Sequence, residues 1–104
     1  MPQYKVSAIA EQRLDEIWAY TRERWGDEQA ETYIRELFGC FERIASRKII
    51  WRAVPIEFGV EGFYCRHQSH YVYWRILDDG VVGIATLLHK RMHQIHRFRD
   101  DAGP

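Results

Sequence analysis

The hairpin-like region from residue 70 to residue 89 constrains the fold of this chain most. Two segments rich in aromatic and β-branched residues, 70–77 and 81–89, flank a short polar turn. The turn contains Asp79 and Gly80, and Gly adopts positive φ freely while Asp tolerates it, which suits a tight hairpin. The pattern therefore predicts two antiparallel β-strands that are adjacent in the sheet.

The alternation along this hairpin divides its side chains between two faces. A two-residue turn predicts that Trp74 pairs with Ala85 and that Val72 pairs with Leu87, on the face that packs under the helices. The other face is predicted to carry Tyr71, Tyr73, Arg75, Ile84, Thr86 and Leu88. This aromatic and basic face is a candidate surface for a partner. The alternative is that the loop formed by residues 48–62 covers it.

Two amphipathic helices are predicted before the hairpin. Ser7 is a suitable N-cap for the first helix, whose apolar positions follow helical spacing as far as Trp25. Gly26 then supplies left-handed C-cap geometry, and Asp27 is able to cap the second helix. The second helix carries one apolar stripe, formed by Ala30, Tyr33, Ile34, Leu37, Phe38, Phe41, Ile44 and Ala45. The short connection predicts an antiparallel helical hairpin.

A brief strand over residues 4–7 and another over 63–67 complete the predicted order, β-α-α-β-β-β. The segment 49–51 is open to interpretation as a helix tail, a short strand or a packing loop. We therefore expect an α+β fold in which the helical hairpin packs on a small, twisted antiparallel sheet. At 104 residues, the chain is expected to form a single domain over residues 1–104.

Composition excludes several classes of protein. The hydrophobic share of 46% supplies a core and argues against intrinsic disorder, and no apolar run approaches the length of a membrane span. The N-terminus has no signal-peptide pattern, and Cys40 and Cys65 lack metal-motif spacing, which favours a reduced, cytoplasmic protein. The net charge is zero, but residues 63–99 hold six basic and two acidic side chains together with all five histidines. This basic half suits an acidic or polyanionic partner, and a solvated charged face is the alternative.

The histidines are the first candidates for chemistry. His89, His93 and His96 have the spacing of one helix face, which makes a metal site conceivable. A zinc site requires further ligands and supporting carboxylates, and no cysteine lies nearby, so we predict no metal. Phosphate-binding glycine loops and hydrolase motifs are also missing, so we expect no cofactor.

One catalytic arrangement remains open. Glu57, Arg66 and His89 could converge where strand ends meet, with Glu or His moving a proton and Arg steadying a phosphate during RNA cleavage. The alternative is that Arg66 and His89 are ordinary polar residues at the edge of the sheet, and this alternative is favoured.

Several motifs together resemble the ParE branch of the ParE/RelE toxin superfamily from bacterial toxin–antitoxin modules. They are Ile-Trp-Ala-Tyr-Thr-Arg-Glu-Arg-Trp-Gly at 17–26, Gln-Ala at 29–30 with Tyr33, His-Tyr-Val-Tyr-Trp-Arg at 70–75 and Leu-Leu-His-Lys-Arg-Met at 87–92. The resemblance covers nearly the whole chain. The chain departs from the family pattern after the second helix. A Pro-x-x-Gly-Arg stretch is usual there, whereas residues 47–62 have a different sequence.

The resemblance implies a toxin that inhibits DNA gyrase by protein–protein contact and serves plasmid stabilisation. It also implies neutralisation by a ParD-like antitoxin in a hetero-oligomer, with no membrane partner and no sequence-specific binding of nucleic acid. The expected target-binding residues are His89, Lys90, Arg91, Met92 and His93. RelE-type relatives instead cleave mRNA on the ribosome, but their closing aromatic is not matched, since Lys90 follows His89. We therefore expect a toxin that is not an enzyme, with an endoribonuclease, or a binding module that has lost its toxicity, as the alternatives.

Aromatic residues on the helices suggest where an antitoxin binds, since Tyr and Trp are effective interface anchors. The predicted antitoxin-binding residues are Trp18, Tyr20, Trp25, Tyr33 and Trp51. For Trp25 and Tyr33, completion of the core is an equally good interpretation.

Overall fold

The computed structural model describes residues 3–55, 61–91 and 101, which form two helices and five strands. In chain order these are β1 (Tyr4–Val6), α1 (Ala8–Trp25), α2 (Asp27–Ala45), β2 (Arg52–Ala53), β3 (Phe63–His67), β4 (His70–Ile76) and β5 (Val82–His89). The strands form one sheet in the order β1-β5-β4-β3-β2, with the helices packed on it. The predicted α+β fold and element order are confirmed, and the structure adds the two-residue strand β2.

The sheet is mixed rather than wholly antiparallel, because the edge strand β1 runs parallel to β5. The other neighbouring strands pair antiparallel, as predicted. The direction of β1 is tied to Ser7, which donates its N–H to the carbonyl of Ile84 (3.0 Å) and its hydroxyl to the carbonyl of Ala85 (2.7 Å). A three-residue strand contains too little pattern for its direction to be predicted. Both edge strands are short, which limits pairing with other chains.

A side-chain hydrogen bond caps the start of α1 but not that of α2. The Ser7 hydroxyl accepts a bond from the N–H of Ala10 at 3.0 Å, which confirms the predicted N-cap of α1. Gly26 is the single residue between the helices. It is the C-cap of α1 and the N-cap of α2, with φ 97° and ψ 171°. These angles lie outside the predicted left-handed helical region, and in this extended region only glycine is comfortable. The prediction that Asp27 caps α2 was wrong, because Asp27 is already helical and its carboxylate pairs with Arg22 at 3.2 Å.

The two helices contribute unequally to the core. α1 buries only Ala10, Leu14 and Ile17. α2 buries Ala30, Tyr33, Leu37, Cys40, Phe41 and Ile44. The sheet supplies Cys65, Val72, Trp74, Val82, Ile84 and Leu87 to the same cluster. The C-terminal part of α1 beyond Ile17 is therefore left with little packing against the body of the protein.

The turn between β4 and β5 is longer than predicted. Leu77 donates its N–H to the carbonyl of Val81 (2.9 Å), and Gly80 donates its N–H to the carbonyl of Leu77 (2.8 Å). The loop thus spans three residues, 78–80, and Gly80 closes it with φ 81°. A type I turn followed by glycine at positive φ is a common three-residue hairpin loop.

A β-bulge compensates for the longer turn. Trp74 pairs with Ile84, so the predicted pairing of Trp74 with Ala85 was wrong. Beyond the bulge the register shifts by one residue, and Val72 pairs with Leu87 as predicted. Ile84 consequently joins the helix-side core, while Ala85 moves to the opposite face. The longer turn and the bulge each shift the register by one residue, in opposite directions. The pairing of Val72 with Leu87 was therefore predicted correctly although the turn length was not.

The face of the sheet turned away from the helices has a small core of its own. Tyr73 and Leu88 are buried there together with Val54, and Tyr64 and Tyr71 pack against them. Val54 belongs to the segment 48–62 that follows α2. The alternative that this segment covers the face is therefore correct for this part of the sheet. Tyr73 and Leu88 are therefore not available as parts of a partner-binding surface.

Two further features concern the cysteines and the helices. Cys40 and Cys65 are free, buried thiols within the main core. Within the described parts of the chain, neither helix combines the length and apolar character that spanning a bilayer requires.

Candidate functional site

A groove of about 450 Å³ opens between α1 and the ends of β4 and β5. The buried core residues Ile17 and Leu87 form its base. Its walls carry Arg13, Glu16, Tyr20 and Arg24 from α1 and His70, His89 and Arg91 from the sheet side. The groove thus joins two regions to which the sequence assigned different partners, the aromatic helix and the segment that follows β5.

The outer part of α1 presents large aromatic side chains to solvent. Tyr20 is 56% exposed and Trp25 is 66% exposed. The Arg24 guanidinium lies 5.5 Å from the centre of the Tyr20 ring, and the Arg22 guanidinium lies 5.2 Å from that of Trp18. These cation–π contacts restrict the side chains before any partner arrives.

The arginines of the groove differ in how far they are neutralised. Arg13 pairs with Glu16 at 3.3 Å and with Asp101 at 2.9 Å, and Asp101 also accepts a bond from the Thr86 hydroxyl. Within residues 3–55, 61–91 and 101, neither Arg24 nor Arg91 forms an ion pair. Among the described residues, these two groove arginines therefore have no carboxylate partner.

Three histidines form a row across adjacent strands at the end of the sheet. His67 of β3 pairs with His70 of β4, which pairs with His89 of β5. The Tyr33 hydroxyl lies 2.7 Å from Nδ1 of His70, and the His70 and His89 rings are perpendicular with centres 5.3 Å apart. α2 is thus connected to the groove through a buried tyrosine.

The environment keeps these imidazoles neutral near pH 7. Burial, followed by the nearby His89 and His67, lowers the pKa of His70 to about 4. Burial also lowers the pKa of His67, and burial together with the Arg91 and Lys90 charges lowers that of His89. Burial acts in this direction because it penalises the charged form of the ring. In the described part of the chain, no group of three or more ligating side chains is arranged to hold a metal.

The chain that leaves β5 is held against the neighbouring loop. Lys90 donates its N–H to the carbonyl of Ser69 at 2.9 Å, and Arg91 donates its N–H to Nδ1 of His89 at 3.1 Å. The Lys90 and Arg91 side chains are exposed. Of the five predicted target-binding residues, His89 and Arg91 line the groove, and Lys90 lies between them in the chain. Met92 and His93, like His96 of the histidine motif, lie outside the described residues.

The structure does not bring the alternative catalytic residues together. Arg66 pairs with Tyr71, whereas His89 pairs with His70, the residue before Tyr71. Because successive side chains of a strand point to opposite faces, Arg66 and His89 project from opposite faces of the sheet. The Arg66 Nε donates instead to the carbonyl of Gln68 at 2.8 Å. Glu57 lies outside the described residues.

The five aromatic residues predicted to bind an antitoxin do not form one surface. Trp18, Tyr20 and Trp25 lie on the outer part of α1. Tyr33 is buried, in agreement with the interpretation that it completes the core. Trp51 lies near β2, edge-on to Phe63 with ring centres 4.9 Å apart.

Sequence reasoning identified Arg91 but missed Arg13, Arg24 and the histidine row. The two-residue loop after His67 was a usable signal, since it places His67 opposite His70 in a hairpin. Arg24 follows Tyr20 by four positions, which places the two on one helix face. Nothing in the sequence indicated that this face lies beside His89, because that contact depends on tertiary packing.

Comparison with known proteins agrees with this architecture. Residues 4–94 match the family model described as the ParE toxin of type II toxin-antitoxin system, parDE. A protein named Toxin ParE1 from Mycobacterium tuberculosis is 37% identical over 90 residues, which cover 86% of this chain and 90% of the relative. Another Toxin ParE1, from Caulobacter vibrioides, is 39% identical over 95 residues, which cover 89% and 94%. This chain therefore belongs to the ParE family of toxins from type II toxin–antitoxin systems.

Proposed function

We propose that this toxin inhibits DNA gyrase by protein–protein contact and that a ParD-like antitoxin neutralises it. The observation that carries the proposal is the exposed aromatic and cationic part of α1, which lies beside the groove. Such a surface suits binding rather than catalysis. Both partners act in the cytoplasm, and the proposal places this chain there.

Trp18, Tyr20 and Trp25 are proposed as anchors for the antitoxin. Tyr and Trp bury large areas at interfaces and often dominate the binding free energy. Arg22 and Arg24 already restrict two of these rings, so binding costs less side-chain entropy.

The end of β5 is proposed as the contact with gyrase. His89, Lys90 and Arg91 lie together there, and the cationic side chains of Lys90 and Arg91 reach solvent. Met92 and His93 extend the proposed contact along the chain. Exposed cations accelerate association with an acidic protein surface and give it a strong dependence on salt.

A gyrase assay run beside a translation assay tests the proposal. Purified toxin is added to gyrase with relaxed plasmid, and supercoiling and cleaved plasmid are both measured. We expect lost supercoiling and trapped cleaved DNA, reversed by antitoxin. The double variant Lys90→Glu/Arg91→Glu should inhibit far less, whereas the matched variant Lys48→Glu, on the exposed loop after α2, should behave as wild type.

Two outcomes would contradict the proposal. If gyrase is untouched while ribosome-bound mRNA is cleaved, the toxin is an endoribonuclease, and His89→Ala and Arg66→Ala should each abolish cleavage. If the chain binds antitoxin tightly yet affects neither process and is harmless when expressed alone, it is a binding module without toxicity.

A further inference from the structure

The groove between α1 and the ends of β4 and β5 has the charge of a site for a negatively charged group. Arg24 reaches it from the helix and Arg91 from the segment after β5. Arg13 pairs with Glu16, which also lines the groove, and with Asp101, so among the described residues the positive charge offered to a partner comes from Arg24 and Arg91.

Guanidinium groups match a carboxylate in shape as well as in charge, since each offers a planar fork of N–H donors. Tyr20 contributes a hydroxyl to the same wall. The Nδ1 of His89 accepts the Arg91 N–H, so the neutral ring carries its hydrogen on Nε2.

The groove suits a peptide side chain better than a nucleic acid backbone. Its base is apolar, formed by Ile17 and Leu87, and the exposed Tyr20 ring lines one wall. A volume of about 450 Å³ holds a short stretch of side chains. The chain has a formal net charge of zero, whereas binding to nucleic acid gains most of its affinity from many cationic contacts with phosphates.

We infer that this groove receives an acidic side chain from an amphipathic segment of the antitoxin, held between Arg24 and Arg91. The inference rests on the proposed function and specifies its partner. Apolar residues of the same segment pack on Tyr20 and Trp25, while its carboxylate enters the groove.

This arrangement also explains how neutralisation would work. His89 and Arg91 line the groove and belong to the proposed gyrase contact. An antitoxin segment seated in the groove covers both residues, so antitoxin and gyrase compete directly for one surface. A remote conformational change is not needed.

Calorimetric titration of the full-length toxin with the antitoxin of its module, at 50 and 300 mM NaCl, tests the inference. The variants are Arg24→Gln, Arg91→Gln and their combination. We expect the double variant to lose roughly 10- to 100-fold in affinity and to show a weaker dependence on salt. The matched control is Arg35→Gln, which removes an exposed arginine from α2 and should change affinity less than about 2-fold. Thermal unfolding of each variant confirms that it folds.

The possible failures are distinguishable. Wild-type affinity and salt dependence in the double variant would overturn the inference and leave antitoxin binding intact. Failure of the wild-type toxin to bind the antitoxin would overturn the proposed function itself. A 12-nucleotide single-stranded RNA that binds wild type tightly, and loses this binding in the same double variant, would overturn the inference in favour of a nucleic acid site.

Discussion

The two helices are nearly equal in length, at 18 and 19 residues, but they bury very different surfaces. α2 is buried at regular intervals from Ala30 to Ile44, close to its end. α1 has no buried residue after Ile17, and its last two turns carry the exposed Tyr20 and Trp25. One helix is packed along its length, and the other is packed along only half of it.

This difference separates residues that stabilise the fold from residues that are available to a partner. A buried side chain stabilises the folded state by leaving water, whereas an exposed aromatic ring contributes little until something covers it. Small monomeric proteins rarely expose adjoining large apolar groups unless these groups bind. The outer part of α1 is thus expected to be nearly neutral for folding and important for binding.

The largest expected effect on stability comes from the core stripe of α2. Phe41 is fully buried and packs edge-on against Tyr4 and Phe38. Phe41→Ala should lower the free energy of unfolding by about 4 kcal/mol, because apolar contacts are lost and a cavity remains. Urea denaturation measures the change. The matched variant Phe38→Ala removes a ring that is 39% exposed and should cost clearly less, and equal costs would contradict the division of this helix into core and surface.

The connection between the two helices comes next. At φ 97° and ψ 171°, Gly26 occupies backbone space that other residues enter only with strain. Gly26→Ala should therefore destabilise the protein by up to about 3 kcal/mol in urea denaturation. Gly39→Ala is the control, since a methyl group there meets only Arg43 at 3.6 Å within a helix. That change should stabilise the fold by up to about 1 kcal/mol, and the same sign for both variants would contradict the assigned geometry.

The histidine row, where α2 reaches the groove, should make stability depend on pH. His70 is expected to have a pKa of about 4 when folded and about 6.5 when unfolded. Above pH 6.5 both states are neutral, but as pH falls toward 4 the unfolded state takes up a proton that the folded state does not. Stability should therefore fall on acidification, by about 2 kcal/mol for this residue after allowance for its partial exposure.

Urea denaturation between pH 7.5 and 4.5 measures this slope. His70→Gln keeps a hydrogen-bond acceptor for Tyr33 but removes the titration, so its stability should vary less with pH than that of wild type. His67 and His89 have pKa values lowered in the same direction, so part of the slope should remain. An unchanged slope in His70→Gln would show that His70 does not titrate differently in the folded state.

The contrast between the two helices also explains how much of the fold could be predicted from the sequence. The stripe of α2 repeats over about four turns, so most of its burial was predictable from periodicity, although Phe38 of the predicted stripe is exposed. The Ser7 cap follows from local hydrogen bonding. The pairing of Trp74 was not predictable, because the three-residue turn and the bulge depend on how the sheet packs. The parallel direction of β1 was inaccessible for a similar reason, since it is set by contacts of Ser7 with residues far along the chain.

The candidate site was less accessible than the fold. The aromatic residues on α1 and the cations after β5 were identifiable as residue types, but their position around one groove arises from tertiary packing. Tyr33 shows the limit of composition as a guide, because its spacing fits either a core residue or an anchor and only the structure places it beside His70. Arg66 and His89 show the converse limit, since suitable residue types lie on opposite faces of the sheet.

The smallest expected effect on folding is also the sharpest test of the contrast between the helices. Trp25 is 66% exposed, so Trp25→Ala should change the free energy of unfolding by less than about 0.5 kcal/mol. The same substitution should weaken antitoxin binding by roughly 30-fold, the loss typical of an interface anchor, in the calorimetric titration. Ile76→Ala, which shortens an apolar side chain that is 43% exposed at the far end of β4, provides the control and should leave binding unchanged. If Trp25→Ala unfolds the protein, the end of α1 belongs to the core after all. If it changes neither stability nor affinity, the exposed aromatic surface has a purpose other than the antitoxin.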